Sequence, residues 1–448
     1  MGFYNKNKKT SYSDGFTLIE TLVGSAIFLV VAFSGYQALS ALMTAVGISH
    51  AKVAATALAN ERFEIIRNLP YQDVGIVAGI PVGKIQREET LNRDGYIFTV
   101  YTTIRNNDDP FDGTIGGSPN DSSPADYKLV DLDIDCNNCK TFPTLNFTTL
   151  VAPRALETAS TNGALFVQVF DASGVPIPEA EVHIENTSAN PDVIIDELTD
   201  NQGWVKIIDA PVGTNTYKIT ATKEGYSQEQ TYAIGGTAGP NPLKPDATVV
   251  LQQVTQASFS IDELRNLQII TKDAACVLLP NINFSLTGTK LIGSPSYLKY
   301  STQDFATSSA GNYTVQNLEW DTYSLALTQA AYDLAGMSSL NPFSLSPDED
   351  LTVEAVVVPH ASRALLVSVK DFLGEPIDGA TVQLTRTGFN ESKNTNGGPC
   401  STPGQAFWNG LASGTYTLTV SKSGYDTYTN NALSVSVDWQ NQVITLLE

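Results

Sequence analysis

The chain has 448 residues, and 26 basic against 47 acidic side chains give it a formal net charge of −21. A surface this acidic repels phosphate backbones, so no nucleic acid is expected as a partner. Four Cys exclude a disulfide-stapled scaffold, three His leave little material for histidine chemistry, and 42% hydrophobic with 16% charged residues marks a folded chain of several domains.

The N-terminal stretch carries Lys6, Lys8 and Lys9 and ends at Gly15. An apolar segment follows, with no charged residue from Thr21 to Ser49. It is long enough to span a bilayer, which takes about 20 residues. The basic leader predicts a cytoplasmic N-terminus and an extracytoplasmic remainder. A secretory signal fits poorly, because its apolar core is short and ends at a small-residue cleavage site. Helix-forming residues continue to Asn68, with Ala51, Ala55, Leu58, Ile65 and Leu69 as the predicted inner stripe. One helix over 16–68, roughly 80 Å long, is predicted. Thr17 and Glu20 have the spacing of a capping box.

The run Gly15-Phe16-Thr17-Leu18-Ile19-Glu20 against this apolar segment resembles the processing motif of type IV prepilins and pseudopilins. The resemblance is tight over 1–45 and looser to about 155. It implies that a prepilin peptidase removes the leader 1–15, cutting between Gly15 and Phe16, and that Phe16 is then N-methylated. It also implies that Glu20 meets the N-terminal amine of a neighbouring subunit during assembly. The partners it implies are other pilin subunits through the N-terminal helix, the peptidase, the inner-membrane assembly machinery, and lipid before assembly. The architecture it implies is a helix half in the membrane and half packed on a small head.

Residues 69–155 read as that head. Strands are predicted over 84–91, 96–106, 127–136 and 144–151, with a hairpin turn at 92–95. Val130, Leu132, Ile134 and Cys136 alternate with Asp131, Asp133 and Asp135, as one buried and one wet face require. Asp108, Asp109, Asp112, Asp131 and Asp133 are candidate calcium ligands, because calcium takes six to eight oxygens. The region lacks an EF-hand pattern, and a solvated acidic face is the competing reading. Cys136 and Cys139 end a strand outside any βαβ setting, and no second such pair exists for zinc. A small disulfide is therefore expected for them in an oxidising exterior.

The remainder repeats. Residues 166–186 and 366–386 share the pattern V-x-D-x-x-G-x-P-I-x-x-A, and 269–288 is a degenerate copy. A second echo begins at Tyr217, Tyr323 and Tyr416, and valine-rich strands over 247–253, 351–358 and 443–448 close the three units. The predicted modules are 156–254, 255–360 and 361–448, each a β-sandwich. They resemble carboxypeptidase regulatory-like domains, the second only in part, since Cys276 replaces the turn glycine. Collagen-adhesin B-type domains are built similarly and often carry an isopeptide bond. Ala221 and Val420 stand near the position of their catalytic acid, so no such bond is expected. The runs 153–163 and 235–245 read as a linker and a long loop. Trp204 and Trp408 are core residues or sugar-stacking platforms, with core favoured. Cys276 and Cys400 lie in different modules, and nothing in the sequence pairs them.

The fold class expected is α+β: a membrane helix on a small antiparallel sheet, then three tandem all-β sandwiches. No catalytic motif appears, so the chain reads as non-enzymatic. The leading function is a minor or tip subunit of a type IV pilus-like filament, displaying its modules at the cell surface to an unknown ligand. The alternatives are a pseudopilin of a type II secretion or DNA-uptake system and a membrane-anchored surface binding protein.

Overall fold

The computed structural model describes residues 17–153 and 159–448. The leader and the Gly15–Phe16 bond lie outside the described residues. The described chain forms two compact units, 17–109 with 125–153 and 110–124 with 159–448. The segment 110–124 sits inside the range expected for the head, yet it groups with the second unit. There the Ser160 N–H donates to the Ser122 carbonyl at 2.8 Å.

In the first unit, helix α1 runs Leu18–Asn68, 51 residues. Thr17 and Glu20 close a reciprocal capping box at its start. It stops because Pro70 drives the preceding residue out of the α region, and Leu69 sits at φ −67°, ψ 153°. The buried stripe is Ala51, Ala54, Ala55, Leu58, Ala59, Phe63 and Ile66. Ile65, expected inside, is 46% exposed. The stripe shifts sideways over the last two turns because it follows a twisted sheet, not a fixed helix face. Arg62 beside it pairs with Glu89 at 2.5 Å.

Four antiparallel strands follow in chain order: β1 Glu88–Arg93, β2 Tyr96–Asn107, β3 Tyr127–Cys136 and β4 Leu145–Val151. Asp94 and Gly95, both at positive φ, make the two-residue β1–β2 turn. Val130, Leu132 and Ile134 of β3 join Phe98, Val100 and Ile104 of β2 in one core with the helix stripe. Burying a residue of this size contributes about 1.5–3 kcal/mol. Lys128 is a buried charged residue within this sheet. Its ammonium donates to the carbonyls of Tyr71 (2.8 Å) and Val74 (2.6 Å), which satisfies the charge and ties down the segment after the helix.

The second unit holds three pairs of sheets and one small three-stranded sheet of Asn241–Pro242, Leu291–Ser294 and Tyr297–Leu298. In each pair of sheets, the first strand pairs in parallel with the last: Gly163–Phe170 with Val254–Ser260, Arg265–Lys272 with Leu351–Pro359, and Ala364–Lys370 with Trp439–Thr445. The first pairing corrects the sequence reading, which closed the first module at 247–253 and ended it at 254. Ala247–Val249 is only a short strand on the opposite sheet, so the closing strand is Val254–Ser260. The facing sheets are built on Glu181–Asn186, Asn283–Gly288 and Thr381–Arg386, whose alternate residues fill the cores.

The repeated motif has a local cause. Asp171, Asp273 and Asp371 each accept two backbone N–H bonds, from the residues two and four positions on, at 2.8–2.9 Å. Such a side chain closes the turn between strands. The residue three positions after the Asp is left-handed in all three modules: Gly174 at φ 83°, Cys276 at 64° and Gly374 at 95°. Glycine takes that conformation freely, whereas Cys276 is strained there by roughly 1–2 kcal/mol.

A second device also repeats. The buried Tyr217, Tyr323 and Tyr416 each donate their hydroxyl to an upstream carbonyl: Pro211 at 2.6 Å, Glu319 at 2.7 Å and Ala412 at 2.9 Å. This is the tyrosine corner of sandwich folds. Tyr416→Phe should lower stability by about 1 kcal/mol, since it strands a carbonyl while keeping the ring. A denaturant titration of the detergent-solubilised chain, set against wild type, measures it.

Candidate functional site

Two regions carry functional signals, the N-terminal helix and the junctions between the β modules. At the helix start, Glu20 accepts from the Thr17 N–H at 3.1 Å and from its hydroxyl at 3.0 Å, and the Thr17 hydroxyl accepts from the Glu20 N–H. Leu22, Val23, Ile27, Phe28, Leu29, Val30, Val31 and Phe33 are all at least half exposed. The helix is long and apolar enough to cross a membrane, with a mean hydropathy of 2.0 over its most apolar window. Apolar exposure of this extent needs lipid or other helices around it.

Among the predicted acidic ligands, the two strand members have protein partners. Asp131 accepts from Arg105 at 2.6 Å and from Thr148 at 2.7 Å, and Asp133 accepts from Asn146 at 2.9 Å. Both therefore serve cross-strand pairs on the wet face. Asp108 and Asp109 lie in the first unit just after β2, and Asp112 belongs to the second unit. The Asp109 N–H donates to Asp126, a carboxylate the sequence reading passed over. Cys136 and Cys139 form a disulfide.

The histidines are engaged with carboxylates or exposed. His50 is exposed on the helix, and His183 pairs with Asp196 at 2.6 Å. His360 pairs with the buried Asp333 at 2.9 Å, and that hydrogen bond and charge raise its pKa. A proton held more tightly in the folded state stabilises it below about pH 6.5, and this contribution fades as pH rises through the raised value. His360→Gln should therefore lose thermal stability relative to wild type at pH 5.5 and converge with it at pH 8.5. Paired melting curves at the two pH values check this.

The tryptophans do not form open platforms. Trp408 is 2% exposed and sits in the third core. The Trp204 ring packs edge-on against Phe166, and the Lys290 ammonium covers Trp320 at 3.2 Å from its ring centroid. Trp439 is a connector, its indole N–H donating to the Leu334 carbonyl at 2.9 Å.

The junctions are where sequence reasoning missed most. The stretch 235–245, read as a loop, contributes the strand Asn241–Pro242, which pairs with Leu291–Ser294 of the second module. Beside it Lys299 bridges Glu229 (3.3 Å) of the first module and Glu319 (2.7 Å) of the second. Between the second and third modules, Cys276 and Cys400 form a disulfide. Gln405 lies under the same junction, 3% exposed. Its amide oxygen accepts from the Met337 N–H at 3.0 Å, and its amide nitrogen donates to the Met337 carbonyl at 2.7 Å. Met337 ends the edge strand Tyr332–Met337, so the Gln405 side chain caps an open sheet edge as another strand would. Cys276 carried a signal, since it breaks the turn pattern of its siblings. Gln405 carried none.

Comparison with known proteins bears on the last module most directly. Residues 364–447 match the family model of the carboxypeptidase regulatory-like domain. No curated protein matches the sequence. Among solved structures, the chain is similar to the Bacillus anthracis TIE protein at 13% identity, over 81% of this chain and 73% of that one, with a TM-score of 0.20. It is also similar to a streptococcal ancillary pilin at 12% identity, over 64% and 99% of the two chains, with a TM-score of 0.18. BcpA, the major pilin subunit of Bacillus cereus, matches at 10% identity over 64% and 99%, with a TM-score of 0.17. Scores this low do not define a shared overall fold.

Proposed function

We propose that the chain is a non-enzymatic, prepilin-like subunit of a type IV pilus-like filament that carries β modules on its outer part. The observation that carries this reading is the division of one helix. Its first half exposes apolar residues throughout, while Ala51 to Ile66 bury a stripe in the core of a four-stranded sheet. A bare membrane anchor needs no such rigid extension, whereas a filament packed by its helices does. The Gly15-to-Glu20 motif supports the same reading. The disulfide and the Gln405 clamp support stiff display at the second of the two module junctions. A minor or tip position follows sterically, since three sandwiches on every subunit would crowd a helix-packed shaft.

The test is the intact mass of the mature protein. It should correspond to a chain beginning at N-methylated Phe16. Recovery of assembled protein that retains Met1 would sink the reading. Antibody against the modules should label filament ends sparsely, and regular decoration along the shaft would show a major subunit instead.

A further inference from the structure

A cavity of about 440 Å³ lies at the junction of the second and third modules. Ala335, Val356, Val358 and Phe407 supply apolar wall, and Lys393, Thr402 and Gln405 supply polar groups. Its volume is that of a small-molecule site. No Asp or Glu is among its lining residues, although the chain carries 47 of them. The cavity's one charged lining residue is Lys393.

The cation at its wall is incompletely compensated. The Lys393 ammonium donates to the Phe407 carbonyl at 2.6 Å and stands 5.1 Å from the Trp408 ring centroid, but it makes no ion pair among the described residues. An ammonium has three protons to donate, so hydrogen-bonding capacity is left over. Loss of surrounding water lowers its pKa, with Glu391 opposing only through its charge. Lys393 is exposed at the mouth of the cavity and has donor protons to spare, so an arriving anion can reach it and pair with it.

The walls are also held in place. Cys400, which lines the cavity, is bonded to Cys276, and Ala274 of the Cys276 turn also lines it. Gln405, also lining, is fixed by both of its bonds to Met337. A site whose shape is preformed spends little binding energy on ordering itself.

We propose that this junction cavity binds a small organic carboxylate with an apolar body, the carboxylate pairing with Lys393 and the body lying against Val356, Val358 and Phe407. The site goes beyond the filament reading and does not depend on it, since it involves no part of the helix.

The test is ligand-observed NMR and calorimetry on the full chain in detergent, with protein-free micelles as blank. The probes are 3-phenylpropionate, its neutral amide, and glucuronate as a carboxylate with a polar body. The carboxylate should bind at one site at least tenfold more tightly than the amide or glucuronate. Lys393→Met should erase the preference over the amide, and Ala335→Leu should weaken 3-phenylpropionate at least tenfold by filling the cavity. Unchanged melting temperatures show that both variants are folded. Equal binding of acid and amide, or full binding by Lys393→Met, would overturn the anionic site. Equal binding of glucuronate would overturn the apolar body, and no binding by any probe to folded wild type would overturn the proposal as a whole.

Discussion

Replacing Glu20 with Gln should leave processing after Gly15 intact and reduce incorporation into filaments at least tenfold. The substitution separates the capping role of this side chain from the assembly role proposed for it. In the folded chain the Glu20 carboxylate accepts from the Thr17 N–H and hydroxyl, which fixes the helix start. An amide oxygen accepts the same bonds, and Gln serves a capping box as Glu does. Only the charge is lost. A carboxylate within an apolar helix bundle is costly unless a cation meets it, so it favours the one register that supplies an N-terminal amine. Glu20→Ala removes cap and charge together and should assemble no better. Quantitative blotting of sheared filaments against whole-cell protein reads the difference. Normal assembly of Glu20→Gln would reduce Glu20 to a helix cap.

The parts legible in the sequence are those set by local periodicity. The apolar run, the Thr17–Glu20 spacing and Pro70 define the helix, and they do so within a few residues of each feature. The alternation in 127–136 placed Val130, Leu132 and Ile134 inside because a strand allows no other arrangement. The repeat of Asp171, Asp273 and Asp371 could be read because the turn it closes is five residues long. Cys136 and Cys139 could be paired because a three-residue separation leaves little choice.

What the sequence hid is set by contacts between distant elements. Phe63 and Ile65 are apolar positions two residues apart on different faces of the helix, and the sheet's twist decides that Phe63 is the buried one. Val254–Ser260 and 247–253 are both apolar, and the choice between them rests on parallel pairing with a strand about ninety residues earlier. The partners of the β3 carboxylates, Arg105, Asn146 and Thr148, were hidden as well, because they come from neighbouring strands. Gln405 is invisible for the same reason, since a glutamine that imitates a backbone strand looks like any other polar residue.

The second large effect concerns the bond between the modules. Cys276→Ser with Cys400→Ser should lower the stability of the second unit by up to about 5 kcal/mol, because the bond closes a loop of 124 residues in the unfolded chain. Cys136→Ser with Cys139→Ser is the internal control, closing only three, and should cost about 2 kcal/mol or less on the same chain-entropy grounds. The long-range effect contains an offsetting term. Cys276 holds a left-handed turn position that its siblings give to glycine, so Cys276→Gly with Cys400→Ser should recover roughly 1 kcal/mol over the double Ser variant. The Gln405 and Trp439 bonds remain in every variant, so the modules stay docked in the native state and the loss falls on the unfolded side of the balance. Denaturant unfolding under non-reducing conditions gives the three differences, followed by tryptophan fluorescence for the second unit, which holds all four Trp, and by far-UV circular dichroism for the first. A long-range pair that costs no more than the short one would mean that the two modules unfold independently and that the bond constrains neither.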